Sequence, residues 1–150
     1  MDLLEMLKHR RSVRDYTGEA IPKEQLDQIL AAGLLSPSGR SRKPWELVVV
    51  QDRDTLKELV KCREGAANML EKAGCAILVF ADPEKTDVWT EDCSIVMSNM
   101  HLMADSLGLG SCWIQSSFGR PRTKRQQKNS AESFSMFRRG TVWKRFCLSE

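Results

Sequence analysis

Little in this 150-residue chain would build a membrane protein, a metal centre or a disulfide scaffold. Its longest uninterrupted apolar stretches, Leu47–Val50 and Ala76–Ala81, fall far below the roughly 20 residues that cross a bilayer, so no membrane span is expected. Two histidines, His9 and His101, are too few for a histidine-rich metal site. The five cysteines (Cys62, Cys75, Cys93, Cys112, Cys147) form an odd set without a C-x-x-C pair, which argues against a disulfide framework and a zinc knuckle. Free buried thiols and one solvated histidine are the expectation. Gly108-Leu109-Gly110 follows a helix pattern and lacks a third glycine, so it does not support a Rossmann dinucleotide site. The absence of G-x-x-x-x-G-K-[ST] removes a P-loop NTPase. At the amino terminus, MDLLEMLKHRR places acids before cations and has no apolar core ahead of a cleavage site, which predicts a cytoplasmic protein.

With 41% apolar and 29% charged residues the composition is that of one soluble globular domain, but the charge is unevenly spread. Residues 1–115 carry 14 Lys+Arg against 18 Asp+Glu, a net of −4, whereas 116–150 carry 9 against 2, a net of +7. The chain therefore divides into a domain over 1–115 and a basic, atypical tail over 116–150. That tail has no sustained period of 2 or 3.6 and few aliphatic residues. Its cations with interleaved Phe and Trp suit phosphates and bases; a disordered end without a partner has the same composition.

Apolar spacing predicts helices over Leu3–Arg10 with Asp2 as cap, from Ile21-Pro22 to about Leu35, from Asp54 to about Lys61, and over Glu91–Leu107. One or two further helical turns are expected over 66–72. Strands are expected at Trp45–Gln51, buried on both faces, at Cys75–Ala81 and at Ser111–Gln115. Ser36–Pro44 reads as an exposed loop. Cys93, Val96, Met97, Met100, Met103, Ala104 and Leu107 form a stripe suited to core or subunit contact. Helices alternating with strands indicate a mixed α/β or α+β class, a central sheet flanked by helices.

Chemistry concentrates where the first predicted helix ends, at Arg10-Arg11-Ser12-Val13-Arg14. In an extended chain Arg10, Ser12 and Arg14 share one side, bringing two guanidinium forks and a hydroxyl toward one point. That combination suits a phosphate, although R-R-S-x-R alone equally fits a solvated basic turn or a kinase-acceptor sequence.

The motif does not stand alone. After it come Ala31-Ala32-Gly33-Leu34-Leu35-Ser36-Pro37-Ser38 ahead of Pro44-Trp45, and then Gly108-Leu109-Gly110-Ser111-Cys112-Trp113-Ile114-Gln115. This ordered set resembles the FMN-dependent nitroreductase family over about residues 3–115. The resemblance implies that Arg10, Ser12 and Arg14, with Arg11 beside them, hold the FMN phosphate and ribityl chain. Pro37, Ser38, Gly39 and Ser41 would reach a flavin bound mainly to the other subunit of a homodimer. Trp113, Ile114 and Gln115 would run along the isoalloxazine. The implied enzyme takes a hydride from NAD(P)H through FMN to nitroaromatic or quinone acceptors, with no catalytic side chain and no metal. Cys112, beside the implied flavin segment, is read as an inert buried thiol.

Two departures accompany the resemblance. Ser41-Arg42-Lys43 stands where many relatives have Asn-x-Gln, removing one amide contact to the flavin. Beyond Gln115 nothing resembles the family's continuation, so a fold incomplete at the carboxyl-terminal end, without a closing strand, and a truncated or frame-shifted tail are expected. The alternatives are an inactive flavin-binding remnant and a dimeric scaffold whose basic tail binds nucleic acid.

Overall fold

The centre of the sheet follows from a single heptapeptide. Cys75-Ala76-Ile77-Leu78-Val79-Phe80-Ala81 is apolar at both phases of its two-residue repeat, so it is stable only with both faces covered. In the computed structural model, which describes residues 2–63, 65 and 67–115 together with the backbone of 142–149, every residue of this strand is buried.

The architecture is α+β. In chain order it comprises α1 (Leu3–His9), α2 (Lys23–Leu34), β1 (Trp45–Val50), α3 (Arg53–Val60), β2 (Cys75–Ala81), α4 (Trp89–Ser106), β3 (Gly110–Ile114) and β4 (Val142–Ser149). Short 3-10 turns lie at Gly39–Ser41 and Asn68–Lys72. The strands form one antiparallel sheet in the order β1-β2-β4-β3. Ile77 and Val79 pack with Ile29 of α2 and with Val96, Met97 and Met100 of α4; Ala76, Leu78 and Phe80 pack with Leu56 and Leu59 of α3 and Leu70 on the opposite face. No helix among the described residues is long and apolar enough to cross a membrane.

Local chemistry explains most boundaries. Asp2 caps α1 by accepting from the Glu5 N–H at 2.9 Å. Pro22 is the N-cap of α2 and not its first helical residue. The cap of α3 is Asp52 instead of Asp54: its carboxylate accepts from the Thr55 N–H at 2.8 Å and the Thr55 hydroxyl at 2.6 Å. Those bonds also hold the Asp52 carboxyl below the usual range. On the other side of the sheet α4 starts at Trp89, two residues before the expected Glu91, and stops ahead of Gly108.

Three expectations need larger correction. Residues Leu47–Val50 are half-buried, because among the described residues β1 is an edge strand with β2 as its one sheet neighbour. The Ser36–Pro44 loop is not uniformly exposed: Ser36 and Pro44 are buried. And a strand does follow Gln115, since the backbone of 142–149 forms β4 between β2 and β3. The Lys144-Arg145 pair in mid-strand breaks the binary alternation by which such a segment is recognised in sequence. Apart from the backbone of 142–149, the 116–150 tail on which the disordered-arm and nucleic-acid readings rest lies outside the described residues.

Candidate functional site

The segment after α1 is shaped by the end of that helix. Arg10 is the C-cap, its N–H donating to the Met6 carbonyl at 2.9 Å, and its extended backbone turns the chain out of the helix. The Arg11 guanidinium folds back to donate to the carbonyls of Lys8, His9 and Arg10 at 2.5, 3.1 and 2.9 Å. A cation at this position satisfies unpaired carbonyls and meets the negative end of the helix dipole. Ser12 then pairs with Ser111 as a parallel bridge, the Val13 N–H donating to the Ser111 carbonyl at 2.9 Å. Gly110 permits this approach: a Cβ there would lie 2.9 Å from Val13 Cγ1.

The bridge brings the chain's two ends of chemistry together around a cavity of about 320 Å³. Leu7 and Leu102 supply apolar wall, while Arg10, Ser12, His101 and Trp113 supply polar or aromatic groups. The volume lies within the range of small-molecule sites. Arg10 Nη1 is 2.9 Å from His101 Nε2, and His101 Nδ1 makes a short hydrogen bond with Ser111 Oγ. Burial, reinforced by Arg10 and opposed by Asp105, pulls the His101 pKa down to about 4, so the ring is neutral near pH 7. Asp105 is itself paired with His9 Nδ1 at 2.9 Å.

Arg14 is directed differently from Arg10. Its Nη1 lies 3.5 Å from the Ser12 carbonyl, and its guanidinium sits beside the Cys112 thiol together with Ser12. It is not among the residues lining the cavity. Burial raises the Cys112 pKa against the pull of Arg14 and Ser12, which makes the thiol a poor nucleophile. Along β3 the side chains alternate: Trp113 packs on the α4 side and lines the cavity, while Ile114, 2% exposed, enters the cluster on the α3 side. Gln115 is exposed, its side chain accepting from Trp113 Nε1 at 3.2 Å and its carbonyl from Arg63 Nη1 at 2.7 Å.

The Pro37–Ser41 segment lies at the other end of α4. Gly39 N–H donates to Asp92 Oδ1 at 2.8 Å, and a Cβ on Gly39 would lie 2.6 Å from Val88 Cγ2. From Asp92 to His101 is nine residues, roughly 13 Å along a helix axis. The Ser38 hydroxyl accepts from the Lys43 N–H at 2.9 Å, closing a loop in which Pro37 and Ser41 are exposed. Arg40, Ser41 and Lys43 hold left-handed φ of 53, 55 and 43°, an uncommon cluster for non-glycine residues. Asp92 is 3% exposed, and its Oδ2 has no hydrogen-bond partner among the described residues.

His101 and Ser111 are the site residues that motif reading missed. A signal was present: His101 falls between Met97, Met100 and Ala104 on the buried face of α4, where a polar residue needs partners. One histidine is solvated as expected, His9, whose exposed ring is paired with Asp105, while His101 is buried. Of the described cysteines Cys75, Cys93 and Cys112 are buried and Cys62 is half-buried.

Comparison with known proteins identifies the family and the fold. The profile of the Nitroreductase family matches residues 7–64 and 58–120. A protein of Archaeoglobus fulgidus, named as a candidate NADH dehydrogenase/NAD(P)H nitroreductase, is 38% identical over 117 residues, which are 75% of this chain and 67% of the relative. The solved structure of an FMN-dependent nitroreductase from Clostridium difficile R20291 superposes with a TM-score of 0.87 at 39% identity, covering 98% of this chain and 86% of that one. A nitroreductase of Bacteroides fragilis solved with bound FMN gives 0.78 at 28% identity, with 99% and 88% covered. On the profile match and the shared fold, the chain belongs to the nitroreductase family.

Proposed function

We propose that this chain is an FMN-dependent oxidoreductase that uses NAD(P)H to reduce nitroaromatic, quinone or similar flat electron-poor acceptors. The observation that carries the reading is the convergence of Arg10 and Ser12 with an aromatic and two aliphatic walls on one cavity. The residues fit an anionic aromatic cofactor. A guanidinium and a hydroxyl suit phosphate oxygens, and Trp113, Leu7 and Leu102 suit an apolar ring system. Bound FMN supplies the hydride chemistry between NAD(P)H and the acceptor. The chain's own residues bind, orient and keep water away; none needs to act as a nucleophile, in line with the suppressed Cys112 thiol. Arg10, Ser12 and Trp113 are assigned to the cofactor from within one protomer, with Arg11 and Arg14 shaping the segment that presents them.

The working unit is a homodimer with Pro37, Ser38, Gly39 and Ser41 serving the site of the other subunit. Supporting this, Leu3, Leu4 and Leu7 of α1 are 52–62% exposed, and Leu34 and Leu35 are 51% and 82% exposed. Such an apolar surface is stabilised by a second copy of the chain. The protein is assigned to the cytosol. The decisive experiment is spectroscopic: the purified chain, loaded with FMN and then separated from unbound flavin, should be yellow and bleach anaerobically with NADH or NADPH. Colour without bleaching would leave the inactive flavin-binding remnant, and a preparation that stays colourless would exclude both.

A further inference from the structure

His101 sits at the cavity wall with both ring nitrogens engaged. We infer that His101 is a positioning residue: oriented by Ser111, it offers an unprotonated Nε2 that fixes the Arg10 guanidinium at the cavity to receive an anionic phosphate. The inference rests on the reading of Arg10 as a holder of the cofactor phosphate.

The hydrogen-bond roles follow from one fact. A guanidinium has donors and no acceptor and stays charged in proteins, so across the 2.9 Å contact Arg10 Nη1 donates and His101 Nε2 accepts. The ring is therefore neutral with its proton on Nδ1, and that N–H donates to Ser111 Oγ. Ser111 is fixed in turn, because its carbonyl accepts from the Val13 N–H at 2.9 Å and its residue pairs with Ser12. The strand that orients the imidazole is thus the one that places Ser12.

The charged groups facing His101 support this assignment. Arg10 approaches from the end of α1 and disfavours a second cation, while Asp105, one turn further along α4, is occupied by His9 at 2.9 Å. A protonated ring would lose its acceptor and repel the guanidinium. Only one of the five guanidinium N–H donors is committed to the imidazole in this contact, which leaves others for phosphate oxygens. A side chain already held in place loses less freedom when its ligand arrives.

The test titrates the full chain, freed of flavin, with FMN and separately with riboflavin, read by flavin fluorescence. His101→Leu should weaken FMN about tenfold, the scale of one charge-assisted hydrogen bond, while riboflavin affinity changes by less than about twofold. His101→Gln should recover most of the loss, because its amide oxygen can accept from Arg10. Arg10→Ala combined with His101→Leu should be no weaker than Arg10→Ala alone. Nitrogen NMR of the wild-type chain should show the Nδ1–H tautomer at pH 7. An Nε2–H tautomer, or equal weakening of FMN and riboflavin by His101→Leu, overturns the positioning role. Full FMN affinity in His101→Leu beside a weakened Arg10→Ala overturns it too, and full affinity in Arg10→Ala instead sinks the phosphate reading beneath it.

Discussion

The two ends of α4 handle buried polar groups in opposite ways. Toward its carboxyl-terminal end, His101 is satisfied by Arg10 and Ser111, and Asp105 by His9. Toward its amino-terminal end, Asp92 uses Oδ1 for the Gly39 N–H but keeps Oδ2 without a partner among the described residues, beside a loop with three left-handed non-glycine residues. A closed polar set is rigid and pre-arranged, whereas a half-satisfied one carries a desolvation cost that a further donor can relieve. In the homodimer reading, the first end holds the cofactor within a protomer and the second reaches the site of the other subunit.

Acid should discriminate between them most strongly. His101 has a folded pKa of about 4 against 6.5 for a free histidine, so the unfolded chain binds a proton that the folded one refuses over this window. Stability is unaffected by this residue above pH 6.5, falls as pH drops toward 4, and loses at most about 3 kcal/mol there. Urea unfolding from pH 7 to 4 should show the slope in wild type and a shallower one in His101→Gln; equal slopes would remove the buried neutral histidine from the account.

Next in size, Arg10→Ala should weaken FMN binding by roughly 10- to 100-fold in fluorescence titration, and thermal melts should show a loss of about 1–3 kcal/mol from the His101 acceptor it leaves unpaired. At the other end, Gly39→Ala must displace Val88 and its own loop, and should cost about 1–3 kcal/mol of stability. If the loop serves a second subunit, the same variant should also lower the dimer fraction in sedimentation; an unaltered melt and dimer would break the contrast drawn between the two ends. The smallest effect is expected from Ser41→Gly, which relieves a φ of 55° and should raise stability by up to about 1 kcal/mol.

Much of the scaffold was legible because its signals are local. The apolar run of β2, the Asp2 cap and the 3.6-residue stripe of α4 each depend on neighbours within a few residues. Arg10 and Ser12 could be picked out by residue type and spacing, and Trp113 by the ordered motifs. The separation of Arg14 from Arg10 could not, because it depends on Ser12 bridging Ser111 across the fold and on the Cys112 thiol beyond it. Nor could β4, whose central Lys144-Arg145 hides its period.

By itself, then, the sequence determined the helices, the central strand, the cationic turn and the family, since these are written in periodicity and ordered short motifs. Tertiary structure alone decided that His101 meets Arg10 across 91 positions and that Asp92 meets Gly39 across 53. The physical reason is that hydrogen bonds between distant residues have no period: they exist only once packing has brought two elements to within about 3 Å of each other.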